Sequence, residues 1–234
     1  MLVQVQAQKP QFKIMHGDAR LELEFVKTES IDCVFTSPEP PINYNELIEI
    51  ENIMLALDRT VKETGSIWVN MSDYHNADGI LAAIPERFIY DMVVGYEWQL
   101  MNTIIWNRPA PHDANSPTKR FRRSHEYLYW FVKDVDKYYT DDLVDEQSDV
   151  ITICYQKPRQ DVFESGFPEL LIETTAILTT PHNGRILDPF CGTGTTGVVA
   201  LEYGHEFLGI EANAALIQRL EDRLRNTCQQ QLNE

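Results

Sequence analysis

The sequence predicts a single α/β domain, in which helices cover a sheet of short buried strands. Apolar runs that favour strands alternate along the chain with stretches whose apolar residues recur at helical spacing. The length of 234 residues suits one domain better than two. The composition, with 43% hydrophobic and 24% charged residues, is typical of a folded protein and not of a disordered or fibrous one. We therefore expect residues 1–234 to share one core.

The predicted elements follow from apolar spacing, because short dense runs favour strands and a period near 3.6 residues favours a helix. Gly65 is expected to end the first long helix, and Pro168 suits the first turn of a later one. The predicted strands are 12–15, 31–35, 66–71, 98–107, 126–133, 185–187 and 207–210. The predicted helices are 46–64, 80–95, 168–179, 195–202 and 214–228. Since strands and helices alternate, the sheet should lie between layers of helices.

Charge is distributed unevenly along the chain. The formal net charge is −16, and residues 134–149 form a dense acidic run. A protein that grips a polyanion usually offers it a basic surface, so any contact with nucleic acid must be local. The basic side chains that cluster are Lys119, Arg120, Arg122 and Arg123.

The sequence predicts no membrane span, signal peptide or metal site. No apolar run approaches the roughly 18 to 20 residues that a span needs, and the first residues lack the charged-then-apolar build of a signal peptide. The four cysteines are scattered, with no CxxC pair or histidine cluster. We expect a cytoplasmic protein with reduced thiols and no metal.

A glycine-rich turn between a predicted strand and a predicted helix is the first candidate binding site. Residues 188–197 read DPFCGTGTTG. Glycines let the backbone approach a ligand closely, and the amides of the following helix point at it. Glu211 follows the next strand, where a carboxylate can accept hydrogen bonds from both hydroxyls of a ribose. A nicotinamide dinucleotide also suits this pattern, but dinucleotide enzymes place the loop at the start of the domain.

Three segments together resemble the amino-methyltransferases of DNA, in the circularly permuted subclass whose cofactor motif lies near the C-terminus. Residues 188–196 match the family's DPFxGxGTT segment, residues 167–170 match FPE-L, and residues 17–18 match the segment whose Asp meets the cofactor's adenine. The resemblance covers nearly the whole chain. It implies the Rossmann-like fold of S-adenosylmethionine-dependent methyltransferases, with a mixed, mostly parallel seven-stranded sheet and helices on both faces. The cofactor residues that it implies are Asp18, Thr36, Phe167, Glu169, Leu170, Asp188, Phe190, Gly192, Gly194, Thr195, Thr196 and Glu211.

Residues 36–40 lie where that family has TSPPY or DPPY, and here they read TSPEP. Methylation of an exocyclic NH₂ needs acceptors that hold its hydrogens while the nitrogen lone pair faces the sulfonium methyl. Ser37 Oγ and the Pro38 carbonyl are the candidates. The ring that stacks on a flipped base is missing, since Glu39 and the Pro after it replace the family's Pro-Tyr. Tyr44 is a candidate for that ring, and Glu39 for a hydrogen bond to the base edge.

The resemblance also indicates the target and the DNA-binding side. The Ser form of the motif is associated more with cytosine N4 than with adenine N6, so we favour cytosine, and no general base is assigned. Residues 106–109 and 122–126 resemble WxKP and RxxHE, which flank a DNA-side loop, here near 108–125. A short acidic insert near 134–165 leaves little room for a recognition domain, so we expect a short target, relaxed specificity or help from a homodimer partner. The residues assigned to DNA phosphates are Arg108, Lys119, Arg120, Arg122 and Arg123.

Two other functions stay open from the sequence. The altered TSPEP motif also suits a regulatory relative that binds cofactor or DNA without transferring a methyl group. The negative net charge and the missing recognition domain also suit a methyltransferase that acts on RNA or on a protein. The main hypothesis is a DNA modification enzyme of the restriction-modification kind.

Overall fold

The computed structural model describes residues 11–41, 43–76, 78–109, 121, 124–153 and 168–231, and for Tyr44 it describes the backbone alone. Its strands are β1 (Phe12–His16), β2 (Ile31–Thr36), β3 (Val61–Met71), β4 (Gln99–Asn107), β5 (His125–Val132), β6 (Val150–Thr152), β7 (Arg185–Asp188) and β8 (Glu206–Glu211). Its α-helices are α1 (Ala19–Glu22), α2 (Tyr44–Thr60), α3 (Ile84–Tyr90), α4 (Glu169–Ile172), α5 (Thr195–Glu202) and α6 (Ala214–Gln231).

The strands form one mixed, mostly parallel sheet in the order β1-β8-β7-β2-β3-β5-β4-β6. Neighbouring strands from β1 to β3 are parallel, whereas β5 is antiparallel to both β3 and β4. All the strands of this sheet except β5 therefore run in the same direction, and the loops that follow β1, β2, β7 and β8 meet at their shared carboxyl edge. This arrangement confirms the predicted α/β fold class.

The predicted number of strands was wrong, because the described residues form eight strands and not seven. The additional strand, β6, lies in the acidic insert and pairs with β4. The pairing runs from Val150 opposite Ile105 to Thr152 opposite Asn107. Its three residues are too few for a periodicity signal, and its outer residues are exposed. Pairing with β4, not local sequence, therefore determines this strand.

The junction between α2 and β3 also differs from the prediction. The helix ends at Thr60 and the strand begins at Val61, so Gly65 lies inside β3 and does not end the helix. The register against β2 shifts between Ile31 and Cys33, which accommodates extra residues on β3. A Cβ on Gly65 would lie 3.0 Å from the Asp32 carbonyl oxygen, so glycine permits this close approach of the two strands.

The helix predicted over 80–95 begins later, at Ile84, and its last five residues (Asp91–Gly95) form a π-helical turn. The Asp73 carboxylate accepts hydrogen bonds from the backbone amides of Ala83 (3.0 Å) and Ile84 (3.2 Å). These bonds satisfy amides that the first helical turn cannot pair. A distant side chain therefore determines where α3 begins.

Helices cover both faces of the sheet, as predicted. One face packs against α1, α2 and α3, and the core there includes Leu57 and Phe88. The other face packs against α4, α5 and α6, with Val198 and Leu220 in its core. No helix in the described part of the chain is both long and apolar enough to cross a bilayer.

Candidate active site

The loops that follow β1, β2, β7 and β8 surround a cleft of about 750 Å³ at the carboxyl edge of the sheet. Ligands of open α/β sheets bind at this edge, and small-molecule sites commonly measure about 300–1,000 Å³. The glycine loop, the predicted ribose acid and the TSPEP segment therefore share one cavity. Its lining includes Gly17, Asp18, Arg20, Ser37, Pro38, Glu39, Pro40, Glu46, Glu49, Phe190, Cys191, Gly192, Thr193, Thr195, Glu211 and Asn213.

Asp188 joins the two central strands behind the cleft wall. Its buried carboxylate accepts hydrogen bonds from the hydroxyls of Thr36 (2.9 Å) and Thr196 (2.7 Å) and from the Phe190 amide (3.1 Å). Burial raises the pKa of Asp188 to about 6, although these hydrogen bonds favour the ionised form. Asp188, Thr36 and Thr196 are thus placed to shape the glycine loop, and they lie outside the cleft lining.

The glycine loop bends through two residues with left-handed backbone geometry. Gly192 has a φ of +50° and lines the cleft, and Gly194 has a φ of +82° at the start of α5. A Cβ on Gly194 would lie 2.3 Å from Leu220 Cδ1 of α6. Glycine is therefore required at position 194 both by the backbone angle and by the close contact with α6.

Glu211 ends β8 with its carboxylate held in a fixed orientation. Oε2 accepts a hydrogen bond from the Gly192 amide (2.8 Å), and Oε1 accepts one from the Asn213 amide (2.7 Å). Each carboxylate oxygen can accept a further hydrogen bond. The residue lines the cleft, as the ribose assignment requires.

Asp18 caps α1 at the rim of the cleft. Its Oδ1 accepts from the Arg20 amide at 2.9 Å, and its carboxylate forms an ion pair with the Arg20 guanidinium. The hydrogen bonds from Arg20 lower the pKa of Asp18, so the carboxyl group is ionised at neutral pH. Among the described residues that line the cleft, Arg20 is the only one with a positive charge, and the other charged side chains are carboxylates. No sequence motif pointed to Arg20.

Residues of α4 lie beside the glycine loop but not in the cleft lining. Leu170 is half-exposed, and Glu169 pairs with Arg223 of α6 at 3.4 Å. Arg223 also donates to the Thr193 carbonyl at 3.0 Å, so it links α4, α6 and the loop. No sequence motif pointed to Arg223. Phe167 lies outside the described residues.

The TSPEP segment contributes Ser37, Pro38 and Glu39 to the cleft lining. These three residues are the candidate catalytic groups of that segment. The Ser37 hydroxyl donates to Oδ1 of Asn70 at 2.9 Å. Asn70, near the end of β3, was not identified from the sequence. Tyr44 begins α2 behind an Asn43 cap, but its side chain lies outside what the structure describes.

The ends of the loop that was predicted to face DNA lie together at the sheet, because the Arg108 amide donates to the Ser124 carbonyl at 2.7 Å. The Arg108 guanidinium pairs with Glu126 at 2.7 Å and lies 5.5 Å from the centre of the Trp106 ring. A phosphate would therefore compete with Glu126 for Arg108. The other predicted phosphate ligands, Lys119, Arg120, Arg122 and Arg123, lie outside the described residues.

Comparison with known proteins found methyltransferases that are similar in sequence and in structure. A Type II methyltransferase of Serratia marcescens, M.SmaI, is 26% identical over 91% of this chain and 90% of its own length. The structure of the cytosine-N4-specific PvuII DNA methyltransferase matches with a TM-score of 0.80 at 17% identity, covering 97% of this chain and 94% of that one. M1.HpyAVI, solved in complex with SAM, matches with a TM-score of 0.70 at 21% identity, covering 92% of this chain and 100% of that one.

The two structural matches show that the fold is shared. The sequence itself also matches a family model. The family described as DNA methylase, which groups N6 and N4 methyltransferases, matches residues 41–222. These residues include the glycine loop, Glu211 and the β3 residue that contacts Ser37. Because the match spans most of the chain, the protein belongs to the DNA methylase family of N6 and N4 methyltransferases.

Proposed function

We propose that this protein transfers the methyl group of S-adenosylmethionine to the N4 amino group of cytosine in DNA, in preference to adenine N6. One observation carries the proposal. Ser37, the candidate acceptor for the amino group, and Glu211, the candidate ribose ligand, line the same cleft. The buried hydrogen bond between Thr36 and Asp188 ties the segment of Ser37 to the glycine loop, and the Gly192 amide of that loop donates to Glu211.

The lining of the cleft fits this cofactor. Glu211 offers two oriented carboxylate oxygens to the ribose hydroxyls, and Asp18 offers an ionised carboxylate to the adenine amino group. The backbone around Gly192 is open enough for close approach, since a Cβ there would meet nothing nearer than 3.9 Å. The carboxylates of the lining also suit a ligand that carries sulfonium and ammonium charges. When bound, this cofactor supplies an electrophilic methyl group.

The target amine is held by acceptors at the start of the TSPEP segment. Ser37 Oγ and the Pro38 carbonyl accept the two N–H hydrogens, which directs the nitrogen lone pair towards the methyl carbon. Methyl transfer to this nitrogen would form the N–C bond while the S–C bond of the donor breaks, and the methylated, positively charged amine would release a proton to water. Glu39 accepts a hydrogen bond from the base edge, and Tyr44 supplies the stacking ring.

Cytosine is favoured over adenine by the Ser at position 37 and by the likeness to the PvuII enzyme, which is cytosine-N4-specific. The Type II relatives support a role in DNA modification. DNA phosphates bind Arg108 and the basic cluster of the loop near 108–125, and binding weakens with salt because each phosphate contact releases counterions. The net charge of −16 makes this binding weak overall.

A second candidate function is a regulatory relative that binds cofactor or DNA without methyl transfer, and the altered residues Glu39 and Pro40 favour it. A third is methyl transfer to RNA or protein. The test is incubation with S-adenosylmethionine labelled on the methyl group and, separately, DNA, RNA and a protein mixture. Label in DNA alone supports the proposal. Label in RNA or protein, or bound cofactor without any transfer, would replace it with one of the alternatives.

A further inference from the structure

We propose that Asn70 is a positioning residue, which fixes the Ser37 hydroxyl as a hydrogen-bond acceptor for the amino group of the target base. The inference rests on the proposed methyl transfer and adds a residue of β3 that no motif marked. Asn70 is 2% exposed, and it lies behind the cleft lining.

The sheet brings Asn70 to Ser37. Strands β2 and β3 run parallel with Thr36 beside Val69. Ser37 directly follows β2, and Asn70 follows Val69 in β3, so the two residues come close together. Ser37 Oγ lies 2.9 Å from Asn70 Oδ1. On its other side, Asn70 Nδ2 lies 3.1 Å from the carbonyl oxygen of Tyr127 in β5. Three neighbouring strands thus hold the contact.

The Tyr127 carbonyl determines which way the Asn70 amide faces. A carbonyl oxygen can only accept a hydrogen bond, so the NH₂ end of the amide must face it. The reverse orientation would place two acceptors against each other in a buried site and lose the hydrogen bond between Asn70 and Tyr127. Oδ1 therefore faces Ser37, and because Oδ1 is only an acceptor, the Ser37 hydroxyl must be the donor.

This direction of donation determines what Ser37 can offer in the cleft. A hydroxyl has one hydrogen and two acceptor lone pairs, and the hydrogen of Ser37 is committed to Asn70. The lone pairs are left for the cleft, where an exocyclic NH₂ brings hydrogens. An amide takes up no proton near neutral pH, so Ser37 and Asn70 orient the amine without removing a proton from it. Among the described residues, neither Glu39 in the cleft nor Asp188 behind Thr36 is a hydrogen-bond partner of Ser37 or Asn70.

Two near-isosteric variants separate positioning from structural support. Asn70→Asp keeps an acceptor for the Ser37 hydroxyl, whereas Asn70→Leu removes it. Burial of a carboxylate opposite the Tyr127 carbonyl should make the Asp variant the less stable of the two. We therefore expect the two variants to rank in opposite orders. The Leu variant should have the higher melting temperature, and the Asp variant should have the higher kcat. The Leu variant should lose about 10- to 100-fold in kcat. If kcat follows melting temperature instead, the role of Asn70 is structural and the proposal is overturned.

A double-mutant cycle tests whether Asn70 acts through Ser37. In the Ser37→Ala background, Asn70→Leu should change kcat by less than about twofold, since the hydroxyl it orients is gone. Additive losses would contradict the proposal. The exposed β4 residue Asn102 is the matched control, and Asn102→Leu should leave kcat unchanged. S-adenosylhomocysteine binding, measured by calorimetry, should be equal in all variants, which reports intact folding of the cofactor site.

The same measurements distinguish this inference from the proposed function. If the wild type methylates DNA but the variants do not behave as the two tests above require, only the role of Asn70 is overturned. A wild-type protein that binds the cofactor and methylates no DNA overturns the proposed function and this inference with it.

Discussion

Thr36 and Asp188 lie on the neighbouring strands β2 and β7, and the Thr36 hydroxyl donates a hydrogen bond of 2.9 Å to the buried Asp188 carboxylate. Thr36 directly precedes Ser37, and Asp188 begins the glycine loop. The bond therefore fixes Ser37, the proposed amine acceptor, relative to the glycine loop, the proposed cofactor site. Methyl transfer depends on such placement, because reacting atoms must be held about 3–3.5 Å apart and aligned.

Replacing Thr36 with Val should lower kcat by about tenfold while S-adenosylhomocysteine affinity changes little, because the shape of the residue is kept and the bond to Asp188 is lost. Steady-state kinetics and calorimetry measure the two effects. Thr60→Val is the matched control, since Thr60 is also buried and donates to the Leu57 carbonyl at 2.9 Å far from the cleft. Equal kcat losses in both variants would mean that the loss reflects stability alone.

Asp188 should make the free energy of unfolding depend on pH. Its pKa is about 6 in the fold against 3.8 as an ordinary carboxyl, so the folded state binds the extra proton between these values. Stability from this group is therefore present below about pH 4 and lost as the pH rises through about 6, by about 3 kcal/mol. The difference in urea unfolding free energy between wild type and Asp188→Asn isolates it. A difference that stays constant with pH would contradict the shift.

Comparing the two proteins also removes the effect of His205, which changes stability with pH in the opposite direction. Burial lowers the pKa of His205 to about 4, so the folded protein loses stability as the pH falls and this imidazole becomes protonated. Both proteins carry His205, and only the wild type carries the titrating Asp188.

Gly194→Ala should destabilise the protein by about 2–4 kcal/mol and weaken cofactor binding, because the new Cβ meets both a positive φ and Leu220. Gly204 is the matched control, since its φ is +76° and a Cβ there meets nothing within 4 Å. Gly204→Ala should cost about 1 kcal/mol and leave cofactor affinity unchanged. Equal losses of stability in thermal or urea unfolding would exclude the contact with Leu220 as a cause.

Glu211→Gln should weaken S-adenosylhomocysteine binding by about 10- to 100-fold, because an amide cannot accept from Gly192, Asn213 and two ribose hydroxyls at once. Calorimetric titration measures it. Glu206, at the other end of β8 and paired with Arg185, is the control, and Glu206→Gln should bind as the wild type does. Unchanged affinity in Glu211→Gln would remove Glu211 from the cofactor site.

The double change Glu39→Pro with Pro40→Tyr gives the segment that the resemblance leads us to expect. It should reduce methyl transfer to DNA, because it removes Glu39, the cleft residue proposed to bind the base edge. The readout is labelled methyl incorporated per enzyme. A gain of activity would instead mean that the natural segment is degenerate, and would favour the regulatory role.

Local spacing predicted most of the fold and the parts of the site that depend on neighbouring residues. The glycine loop, the bounds of α5 and the place of Glu211 at a strand end follow from patterns a few residues long. The contacts of Asn70 with Ser37 and of Arg223 with Thr193 join residues about 30 positions apart, and only sheet register or helix packing brings them together. The start of α3 depends on hydrogen bonds to Asp73, which lies outside the helix and outside its apolar repeat.

The central claim is tested most directly by the nucleosides of DNA that has been incubated with the purified protein and S-adenosylmethionine, digested and analysed by mass spectrometry. We predict N4-methyldeoxycytidine with the wild type and its near absence with Ser37→Ala. N6-methyldeoxyadenosine would correct the target base. Unmodified nucleosides from a protein that binds the cofactor would contradict the claim that this cleft methylates DNA.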